Sequence, residues 1–119
     1  MIKRRLPKDV YSRCITFLYG TVDELNRTLA LECPTDFTPL RASCRGHWKN
    51  YPHSGYEADY ICLVRTTDRT ERLVVLAHEA LHCASHALRM AGLPHTEETE
   101  EAYTYYQCWL IRQCLQLVP

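Results

Sequence analysis

His78-Glu79-Ala80-Leu81-His82 is the stretch from which the rest of the chain is best read. It lies within a longer periodic run. Leu73, Leu76, Ala77, Ala80, Leu81, Ala84 and Leu88 recur at helical spacing and predict one helix from about Thr70 to Met90 with a single apolar face. Gly92 and then Pro94 follow in the order that ends a helix. On such a helix, residues four apart advance about 400°, so His78 and His82 stand one above the other and about 40° apart. Both imidazoles can then meet one metal ion from the same side, and neutral imidazole is a good zinc donor at about 2.0–2.1 Å. Glu79 lies off that line yet close enough to act on a water at the metal, which makes it a candidate general base and not a ligand.

Two histidines leave a catalytic zinc site short of a third protein ligand, with the fourth position kept for water. His86 continues the i, i+4 series, but on an unbroken helix it lies about 12 Å along the axis from His78, too far for one ion held at about 2 Å. His86 is therefore expected to flank the site or to support it from behind. His95 falls beyond the helix stop and has no spacing argument. The acidic run Glu97, Glu98, Glu100 and Glu101 opens a second predicted helix, from near Thr96 to about Leu117. Its acids suit the positive end of the helix dipole, and Tyr106, Trp109, Leu110, Cys114 and Leu117 can pack inward. Running antiparallel to the first helix, it would return a carboxylate to the histidines. Glu101 is the favoured ligand, with Glu97 or Glu100 as supporting groups.

Towards the N-terminus, Tyr60-Ile61-Cys62-Leu63-Val64 is the clearest strand, apolar and rich in β-formers, and Thr66 to Thr70 is a polar connection. The middle of the chain reads as strands, with Phe37 to Cys44 short and mixed. Gly46 to Tyr56 holds Gly, Pro, Asn and Ser and reads as a loop or a wide hairpin connection. The first third reads as helical. Pro7 suits a first helical turn, and Val10, Cys14, Phe17 and Leu18 then recur at helical spacing. Thr21-Val22-Asp23-Glu24 fits a capping box ahead of a second short helix carrying Val22, Leu25 and Leu29, which Pro34 ends.

The 119 residues suffice for one domain, and 46% apolar composition is ordinary for a globular chain. Fourteen basic and fourteen acidic side chains balance, which leaves no broad field for nucleic acid or an anionic membrane. Lys3-Arg4-Arg5 reads as a solvated end. No apolar run approaches the roughly 20 residues that cross a bilayer, and Pro7-Lys8-Asp9 stands where a secretory leader would be apolar. A cytoplasmic location is expected. Seven cysteines, an odd number with no Cys-x-x-Cys pair, argue against a disulfide framework and a thiolate zinc knuckle, and read as buried free thiols.

His78-Glu79-Ala80-Leu81-His82, Gly92-Leu93-Pro94 and Glu100-Glu101-Ala102-Tyr103-Thr104-Tyr105 together resemble the small zincin-like metallopeptidases of gluzincin type (HExxH) encoded by phages and prophages. The similarity covers roughly Tyr60 to Leu110. It implies a minimal zincin-like α+β domain spanning residues 1–119, with N-terminal helices, a small mostly antiparallel sheet and two packed C-terminal helices. The family's Glu-Ala pair maps onto Glu101-Ala102 and supports Glu101 as the third ligand of a Zn2+ ion. The activity implied is that of a hydrolase cleaving a peptide bond, in the host cytoplasm if the chain is phage encoded. Such a peptidase needs a donor for the tetrahedral oxyanion, and Tyr103, Tyr105, His86 and His47 are the candidates. Tyr60 to Val64 would lie beside the active helix and receive an extended substrate by strand addition. The alternative reading is a non-catalytic zincin-fold protein that grips a host or phage protein, with eight tyrosines and two tryptophans available for an interface. A third reading is a structural protein in which the motif arose by chance.

Overall fold

The structure is a computed structural model that describes residues 1–9, 11–53 and 56–119, and of residues 52, 53, 56 and 57 the backbone alone. Its elements run β1 (Ile2–Arg5), β2 (Cys14–Gly20), α1 (Val22–Glu32), β3 (Gly46–His53), β4 (Tyr56–Val64), α2 (Arg69–Met90) and α3 (Glu100–Leu115). The strands form one sheet in the order β1-β2-β4-β3. β1 is antiparallel to β2, β2 parallel to β4, and β4 antiparallel to β3. The α+β class stands, with a small mixed sheet in which two of the three pairings are antiparallel. No helix among the described residues is long and apolar enough to cross a membrane.

The sheet is covered on both faces because β2 and β4 alternate their side chains between them. Leu18 on β2 and Ala58, Tyr60 and Cys62 on β4 pack with Leu25 and Leu29 of α1. Ile15, Phe17, Tyr19, Ile61 and Leu63 point the other way, into a core shared with α2 and α3. On α2 the buried positions are mostly small, Ala80, Cys83, Ala84 and Ala87, which lets the helix lie close to its neighbours. Asp68 caps its start by accepting the Glu71 N–H. Its end is a Schellman turn: Leu93 N–H reaches Leu88 O, Gly92 N–H reaches Arg89 O, and Gly92 takes φ +83°. The Thr21–Glu24 capping box forms as expected and starts α1.

Five local expectations fail, three of them where strand pairing outweighs local pattern. Cys14 to Leu18 is strand, not helix. An interior strand buried on both faces reads as an unbroken apolar run, and Cys14, Phe17 and Leu18 fit a helical period only by coincidence. Val10, assigned to the same helix, lies outside the described residues. Lys3-Arg4-Arg5 is not a loose end but the edge strand β1, with Lys3 paired to Glu32; charged side chains suit an edge that must not recruit further strands.

Gly46 to His53 is a strand and not a loop. The Arg45 carbonyl accepts from Val64 N–H, so in this antiparallel ladder residues 47, 49 and 51 turn their backbone groups to β4, and residues 46, 48, 50 and 52 turn theirs to the open edge. Pro52 therefore lacks its N–H where no ladder bond is lost. Phe37 to Cys44, conversely, forms no strand. Asn26 clamps it at Leu40, its amide accepting from Leu40 N–H at 2.7 Å and donating to Leu40 O at 3.2 Å. The last helix starts at Glu100 and not near Thr96. Glu97 and Glu98 precede it in a turn where Thr96 N–H donates to Thr99 Oγ1 at 2.9 Å.

Candidate metal centre

α2 carries His78 and His82 on its exposed side, next to the face that packs on the sheet. Their rings lie 4.8 Å apart, near perpendicular, and the two Nε2 atoms converge to 3.1 Å. Two nitrogens on one tetrahedral zinc at 2.0–2.1 Å would be about 3.3 Å apart. The pair as folded makes a His–His hydrogen bond whose length falls within a few tenths of an ångström of the spacing of two nitrogens on one ion. That pair is the part of the site that the sequence located unaided.

Glu79 is only 8% exposed, which separates it from its two exposed neighbours in the motif. Burial pushes its carboxyl above the ordinary carboxylate range, while His78, His82 and the Trp48 backbone N–H pull the other way. That N–H is one of those turned to the open edge of the sheet, so the carboxylate lies along the rim of β3. Gly46 makes this approach feasible. A methyl group there would sit 2.4 Å from Val75 Cγ1 and 3.2 Å from Glu79 Cγ, so α2 presses on β3 where the strand has no side chain.

Among the described residues, no set of three or more His, Cys, Asp and Glu side chains is gathered to hold a metal ion. Glu101 is exposed in the first turn of α3. Gln107 Nε2 donates to Ala77 O at 3.0 Å, so the antiparallel helices are level there. Glu101 lies six residues earlier, about 9 Å along α3, which sets it level with His82 and Cys83. Its height matches the histidines; its side chain is not folded over onto them. Glu100, Glu97 and Glu98 are also exposed.

The oxyanion candidates separate clearly. Tyr103 is 1% exposed and donates its hydroxyl to Leu93 O at 2.6 Å, with His95 stacked on its ring at 4.4 Å. Tyr105 is 72% exposed and lines a groove with Pro7, Tyr11, Tyr106 and Trp109, beyond the far side of α3 from the histidines. His47 alternates with Gly46 and Trp48 and so belongs to the α1 face; burial and Lys49 hold its pKa down. His86 stays beside the centre, half-buried against Trp48 with ring centroids 5.4 Å apart.

Trp48 and Gly46 are the members of this site that the sequence reading missed. Trp48 stacks on His82 at 6.1 Å and 17° and lies across His86. Only the strand register, unreadable from so polar a segment, brings it there. Β4, expected as the edge beside the active helix, is instead interior, paired on both sides, and β3 is the edge. Of the seven thiols, all free, Cys33, Cys62, Cys83 and Cys114 are buried, Cys14 and Cys44 are partly covered, and Cys108 is exposed, against the expectation for it. Compared with protein-family models, curated proteins and solved structures, the chain matches none.

Proposed function

We propose that the chain is a zinc-dependent peptidase-like protein, of the kind phages and prophages encode, whose centre is His78, His82 and Glu101 with Glu79 as general base. The observation that carries this reading is the 3.1 Å convergence of the two Nε2 atoms beside a buried carboxylate. When bound there, Zn2+ would supply a Lewis acid that polarises the scissile carbonyl and acidifies water. The chain's own residues do the rest. His78 and His82 hold the ion as neutral imidazoles. Glu79, held at the rim of β3 and kept out of bulk water, takes a proton from the attacking water and delivers it to the leaving amine. β3 offers the outward carbonyl of Trp48 and the outward backbone groups of Asn50 as an edge along which an extended peptide can add as a further strand, the Trp48 N–H being held by Glu79. Glu101 completes the ligand set by a side-chain movement from a height level with His82.

A second reading is favoured by the same helix. Glu101 does not stand with the histidines, and Leu73, Val74 and Leu81 leave an apolar strip exposed on α2. A non-catalytic domain that grips a host or phage protein would need no completed site and would use such a strip. Metal content of the purified protein, compared with His82→Ala and Glu101→Ala, tests the first reading. About one zinc per chain, lost in both variants, supports it. Glu79→Gln should then keep zinc and lose peptide hydrolysis, and cleavage retained in that variant would sink the mechanism. Partner capture that survives both Glu79→Gln and metal removal would favour the second reading.

A further inference from the structure

We propose that the indole of Trp48 is the positioning residue of the histidine pair, holding the His82 ring in the orientation that brings both Nε2 atoms to one point. This inference rests on the metal-centre reading above and goes beyond it.

His78 and His82 are exposed side chains on a helix, and exposed rings exchange rotamers freely. Two free imidazoles would lose that freedom on closing around an ion, which weakens binding. Here one of the two is not free. Trp48 reaches across from the edge strand and lies nearly parallel to His82, with ring centroids 6.1 Å apart and planes 17° apart, within the offset-stacked range of aromatic pairs. His86, one turn further along α2, also lies against the indole, at 5.4 Å and 48°. The rings form a row: His78 against His82, His82 against Trp48, and Trp48 against His86. Trp48 is itself fixed, because it sits in register with Ile61 of an interior strand and packs against the main core. The row transmits the rigidity of the sheet to the metal-facing ring. It also gives His86, third in the histidine series, a defined place: it backs the indole and leaves the ion to the other two. A stacked aromatic pair is worth roughly twofold to tenfold in an equilibrium constant, which sets the scale on which losing the indole should weaken metal binding.

The test uses Trp109→Phe, in which Trp48 is the one remaining tryptophan. Adding Zn2+ should shift the Trp48 emission and adding Co2+ should quench it, and both responses should vanish with His82→Ala. A change confined to protein stability would not move this signal. In parallel, Zn2+ affinity is measured by chelator competition for Trp48→Ala and Trp48→Phe. Trp48→Ala should bind zinc roughly twofold to tenfold more weakly, with Trp48→Phe recovering most of the loss because its ring can still stack. Zinc affinity unchanged in a folded Trp48→Ala would overturn the positioning role while leaving the metal centre standing. A Trp48 emission indifferent to zinc bound through His82 would overturn it too, and that readout holds even if Trp48→Ala does not fold. A wild-type protein that binds no zinc would overturn this inference and the proposed function together.

Discussion

Gly46→Ala is the substitution in which the packing beneath the candidate metal centre can be weighed. The new Cβ would lie 2.4 Å from Val75 Cγ1, and 3.2 Å from both the Cys62 carbonyl oxygen and Glu79 Cγ. Ordinary carbon–carbon contact is about 3.5–4.0 Å, so roughly 1.1–1.6 Å must be recovered against Val75. The strand cannot retreat, because the Cys62 carbonyl behind it belongs to interior strand β4. Val75 cannot easily turn away, because β-branched side chains in a helix hold one rotamer about 90% of the time. α2 must therefore lift from β3. Overpacking of this kind costs typically about 1–3 kcal/mol. At roughly 4 °C per kcal/mol for a domain of this size, Tm falls by roughly 4–12 °C.

Lifting the helix also moves Glu79 from the Trp48 N–H and His82 from the Trp48 indole, so hydrolysis and metal binding should both fall. Urea denaturation of Gly46→Ala, Val75→Ala and the double variant isolates the contact. In the Val75→Ala background the offending atom is gone, and the glycine substitution should cost less by about 1–2 kcal/mol. The reasoning is refuted by a Gly46→Ala protein as stable as wild type, or by an equal cost in both backgrounds.

Three further predictions follow from other parts of the molecule. Asp59→Ala removes a fully buried carboxylate that accepts from Arg13 Nη2 at 2.7 Å and Nε at 3.1 Å and from Asn50 Nδ2 at 3.2 Å; breaking such a pair from one side should cost about 3–5 kcal/mol, read by chemical denaturation. Thiol labelling of the native protein should modify Cys108 first, while Cys62, Cys83 and Cys114, buried and with thiol pKa values raised by that burial, react only on unfolding; mass spectrometry after a timed pulse gives the order. His47 is held neutral in the fold, so below its unfolded pKa of about 6.5 the unfolded chain binds the extra proton and stability falls as pH drops toward the depressed folded value. His47→Gln should flatten that slope in denaturation curves collected below about pH 6.5, and an unchanged slope would show that His47 is not its source.

The parts of the fold legible in the sequence are those stabilised within a few residues of chain. The capping box at Thr21 and Glu24, the Gly92 stop and the 3.6-residue period of α2 all report interactions between near neighbours. β4 was legible because an interior strand must be apolar on both faces, and Tyr60 to Val64 is. β2 is interior for the same reason, yet three of its residues fell on a helical period and the nearby Pro7 invited a helix start. In an apolar run this short, period cannot separate the two forms.

The candidate site divides along the same line. His78, Glu79 and His82 are set by one helix and were visible. Glu101 depends on how two helices meet, and the sequence could place it near the start of a second helix but could fix neither its level opposite α2 nor the direction of its side chain. Trp48 and Gly46 depend on β3, the strand that looked least like one. That is a consequence of its place. An edge strand is solvated along one side, so it tolerates Lys49, Asn50 and Pro52 and needs no apolar alternation. The openness that would let a peptide pair with β3 is what removes the apolar signature from its sequence. A search confined to patterned segments will therefore find the helix that carries the candidate ligands and overlook the strand packed against them.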